Sequence, residues 1–378
     1  MVPHTFLQAL RKQHEAIPPD RKPLSYVRTL EYEEDERCGG VDGISSAVYP
    51  NLESLFIENW RTSNVDFVHT NLRSLHLMNF RGGRSALSTS LRYLPALEEL
   101  IIGRGKVGSP YYFGTNEHTP APLVAHPTVQ RLVLIGNRAT ACLTGLTLPA
   151  LRYLKLAKMK HTPPTGRYKK KDPRNKDPGW SGVDDVTRFV ARSTPTLDTL
   201  SLEHSGLPDK QVSALISKMT PRVRTVVVDS VHPFTSLKHP PAVDLKGLET
   251  ICCDYAPSTM DALGSLYAWF KKRRDLGLDN GQCVRLYLPG PGRNWDRIPA
   301  SASAGGAQAV STSQDWVKIL AEHGLVDVRY SLERPVCSRI IGHKYLSEMN
   351  SRIRTWNEDE ERRGGFYGGY NGGYGFDS

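Results

Sequence analysis

The stretch YPNLESLFI, residues 49–57, decides the fold, because variants of it recur along the chain. They are SYVRTLEY (25–32), HTNLRSLHL (69–77), LPALEELII (94–102), HPTVQRLVL (126–134), LPALRYLKL (148–156), TPTLDTLSL (194–202), TPRVRTVVV (220–228) and LKGLETICC (245–253). Each is a form of L-x-x-L-x-L, usually with Pro two residues before the first apolar position. That position falls at Val27, Leu52, Leu72, Leu97, Val129, Leu151, Leu197, Val223 and Leu248. The intervals are 25, 20, 25, 32, 22, 46, 26 and 25 residues. Six of the eight lie within the roughly 20–29 residues of a leucine-rich repeat. The other two carry insertions.

Alternate side chains of a strand point to opposite sheet faces, so one apolar row of each motif turns inward. A single such strand cannot bury that row alone, and neighbours must stack as a parallel sheet. The return segments carry helical stripes: Leu87, Leu91 and Leu94; Val183, Val186 and Val190; Val212, Leu215, Ile216 and Met219; Met260, Leu263, Tyr267 and Phe270. The expected fold is an α/β leucine-rich-repeat solenoid, a curved parallel sheet with helices on its convex side and irregular repeats. Pro before each strand is expected to stop the preceding helix and favour extended backbone. CVRLYL (283–288) and LVDVRY (325–330) read as two further strands, with a helix from Ser313 to His323 between them.

This reading divides the chain into a helical cap at 1–22, the solenoid at 23–330, a cap at 331–356 and a disordered Gly/Tyr-rich tail at 357–378. Insertions at 104–126 and 158–182 are rich in Gly, Pro, Thr and charge and read as surface loops. The net charge of +10 is concentrated: residues 160–176 hold seven basic side chains and one acid, Asp172. Within that loop Lys169, Lys170, Lys171, Arg174 and Lys176 form the basic cluster. With the rest of the chain nearly balanced, a broad track for phosphates is not indicated. An RNA- or nucleus-associated scaffold using this loop and the tail is the alternative function.

No phosphate loop, dinucleotide fingerprint, zinc-protease or nucleophile-elbow motif occurs. The six cysteines are scattered, without a C-x-x-C pair, as suits reduced thiols in a cytoplasmic or nuclear protein. The twelve histidines do not cluster at ligand spacing. These readings point to a chain with no catalytic residues, no metal and no cofactor, and not to an enzyme. A non-catalytic regulator of a GTPase or other enzyme is a further alternative, though no arginine or asparagine stands out for acting on a GTPase.

Binding is expected on the outward rows of the strands. Repeats two to six present Phe56, His76, Met78, Ile101, Val133, Ile135, Tyr153 and Lys155 there, whereas later repeats present Thr, Ser, Glu and Asp. An outward apolar and aromatic patch is the informative kind of exposure: either a protein partner binds there, or loop 104–126 or the tail folds over the patch and buries it within the chain.

The order FLQALRKQ (6–13), a Pro-rich spacer, PLSYVRTLEY (23–32), then YPNLESLFI and its repeats resembles the body of fungal F-box proteins with divergent leucine-rich repeats. The resemblance spans roughly residues 5–330, without a recognisable F-box before FLQALRKQ. It implies substrate recognition for a cullin-based ubiquitin ligase, with the ligase adaptor as a second partner.

Overall fold

The computed structural model describes residues 326–331 and most of the chain between residues 23 and 289, leaving out there chiefly 34–43, 59–67, 104–122, 158–181, 236–246, 254–259 and 278–283. The expected caps at 1–22 and 331–356, the Gly/Tyr tail, the 313–323 helix and the basic cluster Lys169, Lys170, Lys171, Arg174 and Lys176 lie outside these residues, save for Ser331.

The fold is mixed α/β and built on one large parallel sheet. Its strands are β1 (Thr29–Glu33), β2 (Ser54–Glu58), β3 (Ser74–Met78), β4 (Glu99–Gly103), β6 (Arg131–Ile135), β8 (Tyr153–Ala157), β9 (Thr199–Ser201), β10 (Thr225–Val228), β11 (Thr250–Cys253), β12 (Val284–Pro289) and β13 (Val326–Ser331). They lie side by side in the order in which the chain makes them, and every pairing from β1 to β12 is parallel. Two short strands, β5 (Val124–Ala125) and β7 (Leu146–Thr147), form a separate parallel pair. The helices are α1 (Arg84–Leu91), α2 (Gly182–Ser193), α3 (Asp209–Lys218), α4 (His232–Thr235) and α5 (Met260–Asp275).

Register explains why the motif is so regular. Leu55, Leu75, Leu100, Leu132, Leu154, Leu200, Val226, Ile251 and Leu286 occupy one row across the sheet. Two residues on, Tyr32, Ile57, Leu77, Ile102, Leu134 and Leu156 form a second. Both rows belong to one buried cluster with the helical Leu87, Leu91, Val186, Phe189, Leu215, Ile216, Leu266 and Phe270. At about 1.5–3 kcal/mol for each large apolar side chain taken from water, this shared core is the main stabilising contribution.

The prolines act differently from expectation. Tyr49-Pro50-Asn51-Leu52, Leu94-Pro95-Ala96-Leu97 and Leu148-Pro149-Ala150-Leu151 are tight turns. Each is closed by the N–H of its last residue donating to the carbonyl of its first, at 3.2, 3.1 and 3.2 Å. Pro sits second in each, where its fixed φ suits the turn, and the turn delivers the chain into the strand. Successive turns are stitched together. Asn51 Nδ2 donates to Ser25 O at 2.5 Å, Asn71 Nδ2 to Pro50 O at 2.8 Å, and Thr128 Oγ1 to Pro95 O at 3.0 Å.

One further row was unread in the sequence. The residue just after the first apolar position runs Arg28, Glu53, Arg73, Glu98, Gln130, Arg152, Asp198, Arg224, Glu249, so its charge alternates on either side of Gln130. Backbone N–H groups connect each of these residues to the carbonyl of the one before, which places them side by side. Arg28–Glu53, Arg73–Glu98 and Arg224–Glu249 close to 3.9, 3.5 and 3.7 Å. Like charges directly opposite one another would destabilise neighbouring strands, so the alternation favours the native order of stacking.

Candidate interaction surface on the outer face of the sheet

The rows opposite the core form the outer face. Register places Ser54, Ser74, Glu99, Arg131, Tyr153, Thr199, Thr225 and Thr250 in one row, and Phe56, His76, Ile101, Val133, Lys155, Ser201, Val227 and Cys252 in the next. All eight predicted partner-binding residues lie on this face, as strand alternation requires.

Their exposure is uneven. Only Phe56 and Met78 are half-buried. Ile101, Val133, Ile135 and Tyr153 are each 2% exposed, Lys155 1% and His76 6%. The four apolar ones among them stand outside the main core cluster. The sheet is therefore buried on both faces across β4, β6 and β8, and the predicted patch is not open to solvent there. Parallel sheets are commonly covered on both sides, and near-continuous apolar strands such as LEELII and RLVLI are their signature.

The half-exposed end of the face, on β2–β4, is polar around an aromatic centre. Phe56 meets the His76 ring edge-on, with centroids 6.2 Å apart. Ser74 Oγ lies 2.9 Å from His76 Nε2 and donates to Glu99 Oε2 at 3.0 Å. Ser74 and Glu99 are register partners on β3 and β4, which fixes this contact. Burial pushes the Glu99 carboxyl above its usual range, opposed by the Ser74 hydrogen bond and by the Arg131 charge. Serine, histidine and a carboxylate in contact invite comparison with a hydrolytic triad, but the connectivity is wrong for one. In a triad the carboxylate meets the second imidazole nitrogen, whereas here Glu99 meets Ser74 itself. A nucleophile needs the imidazole to take its proton. Met78 lies over Gly103, and its Sδ and Cε would be 2.9 Å from a Cβ placed there.

Toward the other end the face is polar and closed. Lys155 Nζ meets Glu203 Oε2 at 3.5 Å, with side chains only 2% and 7% exposed. Thr199, Ser201, Thr225 and Thr250 line the strands beside it, all buried.

Two histidines missed by the sequence reading are structural. His69 Nε2–H donates to Tyr49 O at 2.8 Å, and His126 Nε2–H to Leu94 O at 2.9 Å. Each links one repeat to the turn of the previous one. Burial lowers both pKa values, against the raising effect of those carbonyl bonds. The signal was the repeated position, three residues before the first apolar residue of HTNL and HPTV.

Among the described residues no group of His, Cys, Asp or Glu is placed to hold a metal. Cys253 belongs to the core and Cys252 is half-buried on the outer face. No helix of the described residues is long and apolar enough to cross a membrane.

A scan against protein-family models finds no match, and a search of curated proteins finds none. Among solved structures, a family 18 chitinase from Crocus vernus aligns over 59% of this chain and 89% of its own, at 13% identity and a TM-score of 0.17. A likeness of that size carries no argument about fold or activity.

Proposed function

We propose that this chain is a leucine-rich-repeat solenoid that binds a protein partner and is not itself an enzyme. The observation that carries the reading is the strictly sequential, all-parallel order of strands that share one motif at repeat spacing. Stacked units of this kind build extended surfaces rather than a single closed pocket. The contact centres on Phe56 and Met78, the two members of the outer-face patch that remain half-exposed, flanked by the half-exposed Ser54, Glu58 and Ser74. Aromatic and Met side chains ringed by polar groups are what interface cores favour. The resemblance to F-box proteins with divergent repeats makes the partner a substrate destined for ubiquitin transfer, in a cytoplasmic or nuclear setting.

The test is affinity purification of the full chain from cells, with Phe56→Asp and Met78→Asp in parallel. Partners recovered with the wild type and lost with both variants, at unchanged circular dichroism, support the surface. Unchanged partners refute it. Recovery of cullin-ligase subunits decides the ubiquitin assignment, and stable partners without them reduce the chain to a scaffold.

A further inference from the structure

The charge row at the entry to the strands takes no part in the Phe56–Met78 surface. Its nine members run from Arg28 to Glu249, each joined to the next by a backbone hydrogen bond of 2.8–3.1 Å. At about 4.8 Å per strand the row is about 38 Å long. Every member is exposed except Asp198, which is half-buried. The row therefore presents its charges to whatever lies beside the side of the sheet where the strands begin.

Gln130 is the fifth of the nine, with four charges before it and four after. The alternation restarts there: Glu98 and Arg152, two places apart, are opposite in sign, where strict alternation would make them alike. Stacking within the chain does not need this restart, because uncharged Gln130 separates the two under either phase. The restart matters when the row is laid against its own reverse. At the outer rungs Arg28 then meets Glu249 and Glu53 meets Arg224. At the inner rungs Arg73 meets Asp198 and Glu98 meets Arg152. Every charge faces its opposite, whereas a strictly alternating row of nine would face like with like at every rung. Gln130 falls on the two-fold axis and meets itself. A charged residue there would repel its own copy, but an amide both donates and accepts, so two glutamines can bond reciprocally. The same reversal sets the 88% exposed Tyr26, two residues before Arg28, against Gly247, two residues before Glu249. An exposed ring there meets a residue with no side chain to block it.

We propose that the charge row is a self-association surface whose occupant is a second copy of this chain, set antiparallel about a two-fold axis through Gln130. Such an interface is isologous: residue i of one copy meets residue j of the other, and j meets i. Each exposed ion pair contributes little, so the dimer is weak, dissociates on dilution and weakens as salt screens its rungs. Charge complementarity of this kind fixes register and orientation more than it adds affinity. The surface is separate from the one proposed for a protein partner, and either assignment can fail without the other.

The experiment is sedimentation velocity of the full chain from micromolar to submillimolar concentration, at low salt and in molar salt. A monomer–dimer equilibrium at low salt that shifts to monomer in molar salt is expected. Glu98→Arg and Arg152→Glu test the register. Both positions flank neutral Gln130, so each change meets only one charged neighbour within its own row. In a homodimer either change sets like against like at two rungs and should weaken dimerisation about tenfold or more. The two single variants mixed together place opposite charges at both rungs again and should dimerise with each other as the wild type does with itself. The double variant Glu98→Arg/Arg152→Glu should also recover. Recovery on mixing shows that both single variants are folded, which circular dichroism checks independently. A chain that stays monomeric at every concentration at low salt overturns the proposal. A dimer indifferent to salt, an assembly larger than two, single variants that dimerise like the wild type, or a mixture that fails to recover overturns it as well.

Discussion

Reversing one rung of the charge row, by Arg73→Glu, isolates what the alternation contributes. Arg73 lies between Glu53 and Glu98 and pairs with Glu98 at 3.5 Å, with the two side chains 65% and 49% exposed. Exposure limits that pair to about 0.2–1 kcal/mol. The reversal also sets a new carboxylate beside both acids, and each directly opposed like pair costs a further few tenths. The expected loss is about 1 kcal/mol, a shift of roughly 2 °C in unfolding temperature. Glu98→Arg alone should cost about half as much, because its other neighbour is the neutral Gln130. Combined, the two changes rebuild the pair with opposite polarity, so the double variant should be more stable than the single losses predict. Urea midpoints of the four proteins give the coupling directly. The coupling should vanish in molar salt, where the screening length falls to about 3 Å. A coupling below about 0.3 kcal/mol at low salt would show that the alternation has no part in stacking the repeats.

Further outcomes follow from the same geometry. Leu100→Ala, at a fully buried position in the middle of the sheet, should cost about 2–5 kcal/mol by denaturant titration. Gly103→Ala should cost little, about 1 kcal/mol or less, because the atoms it meets are the flexible end of Met78. His69 and His126 have folded pKa values below the unfolded value of about 6.5, so the unfolded chain takes up their protons first. Their contribution is complete above that pH and is lost as pH falls through the folded values. Glu99 has the opposite sign, its raised pKa favouring the fold as pH falls. His69→Gln keeps an N–H for Tyr49 O and should flatten the dependence of the urea midpoint below pH 6.5 (the imidazole value) without lowering it at neutral pH. A curve identical to the wild type would remove His69 from that role.

The mixed α/β class and the parallel sheet were legible because two periodicities agree. The L-x-x-L-x-L motif set the strands, and the stripes through Val212–Met219 and Met260–Phe270 set α3 and α5. The turns were half legible. Pro was read as a stop signal, and only the backbone shows it as the second residue of a turn that opens each strand. The charge row was fully present in NLES, NLRS, ALEE and TLDT but fell between the apolar positions that define the motif. Exposure was the least legible property. Alternation assigns a side chain to a face and says nothing of what lies over that face. The continuous runs of β4 and β6 were the available signal, since a strand open to solvent on one side would alternate more cleanly.

Burial of the outer face also decides where a partner can engage. Freeing Ile101, Val133, Ile135 and Tyr153 from their present cover would return four large apolar side chains to water, a cost of about 6–12 kcal/mol. That is comparable to the whole stability of a typical domain. A partner would have to replace that burial before gaining any affinity, whereas Phe56 and Met78 are half-exposed already. The two groups of residues should therefore respond differently to the same insult. Ile101→Asp buries an unpaired carboxylate and should unfold the chain or expose apolar surface, seen as increased binding of a hydrophobic dye. Phe56→Asp should leave the unfolding free energy within about 1 kcal/mol of the wild type and remove the partner. An Ile101→Asp variant that folded normally and lost its partner selectively would place the contact at β4 and show that the cover over this face gives way on binding.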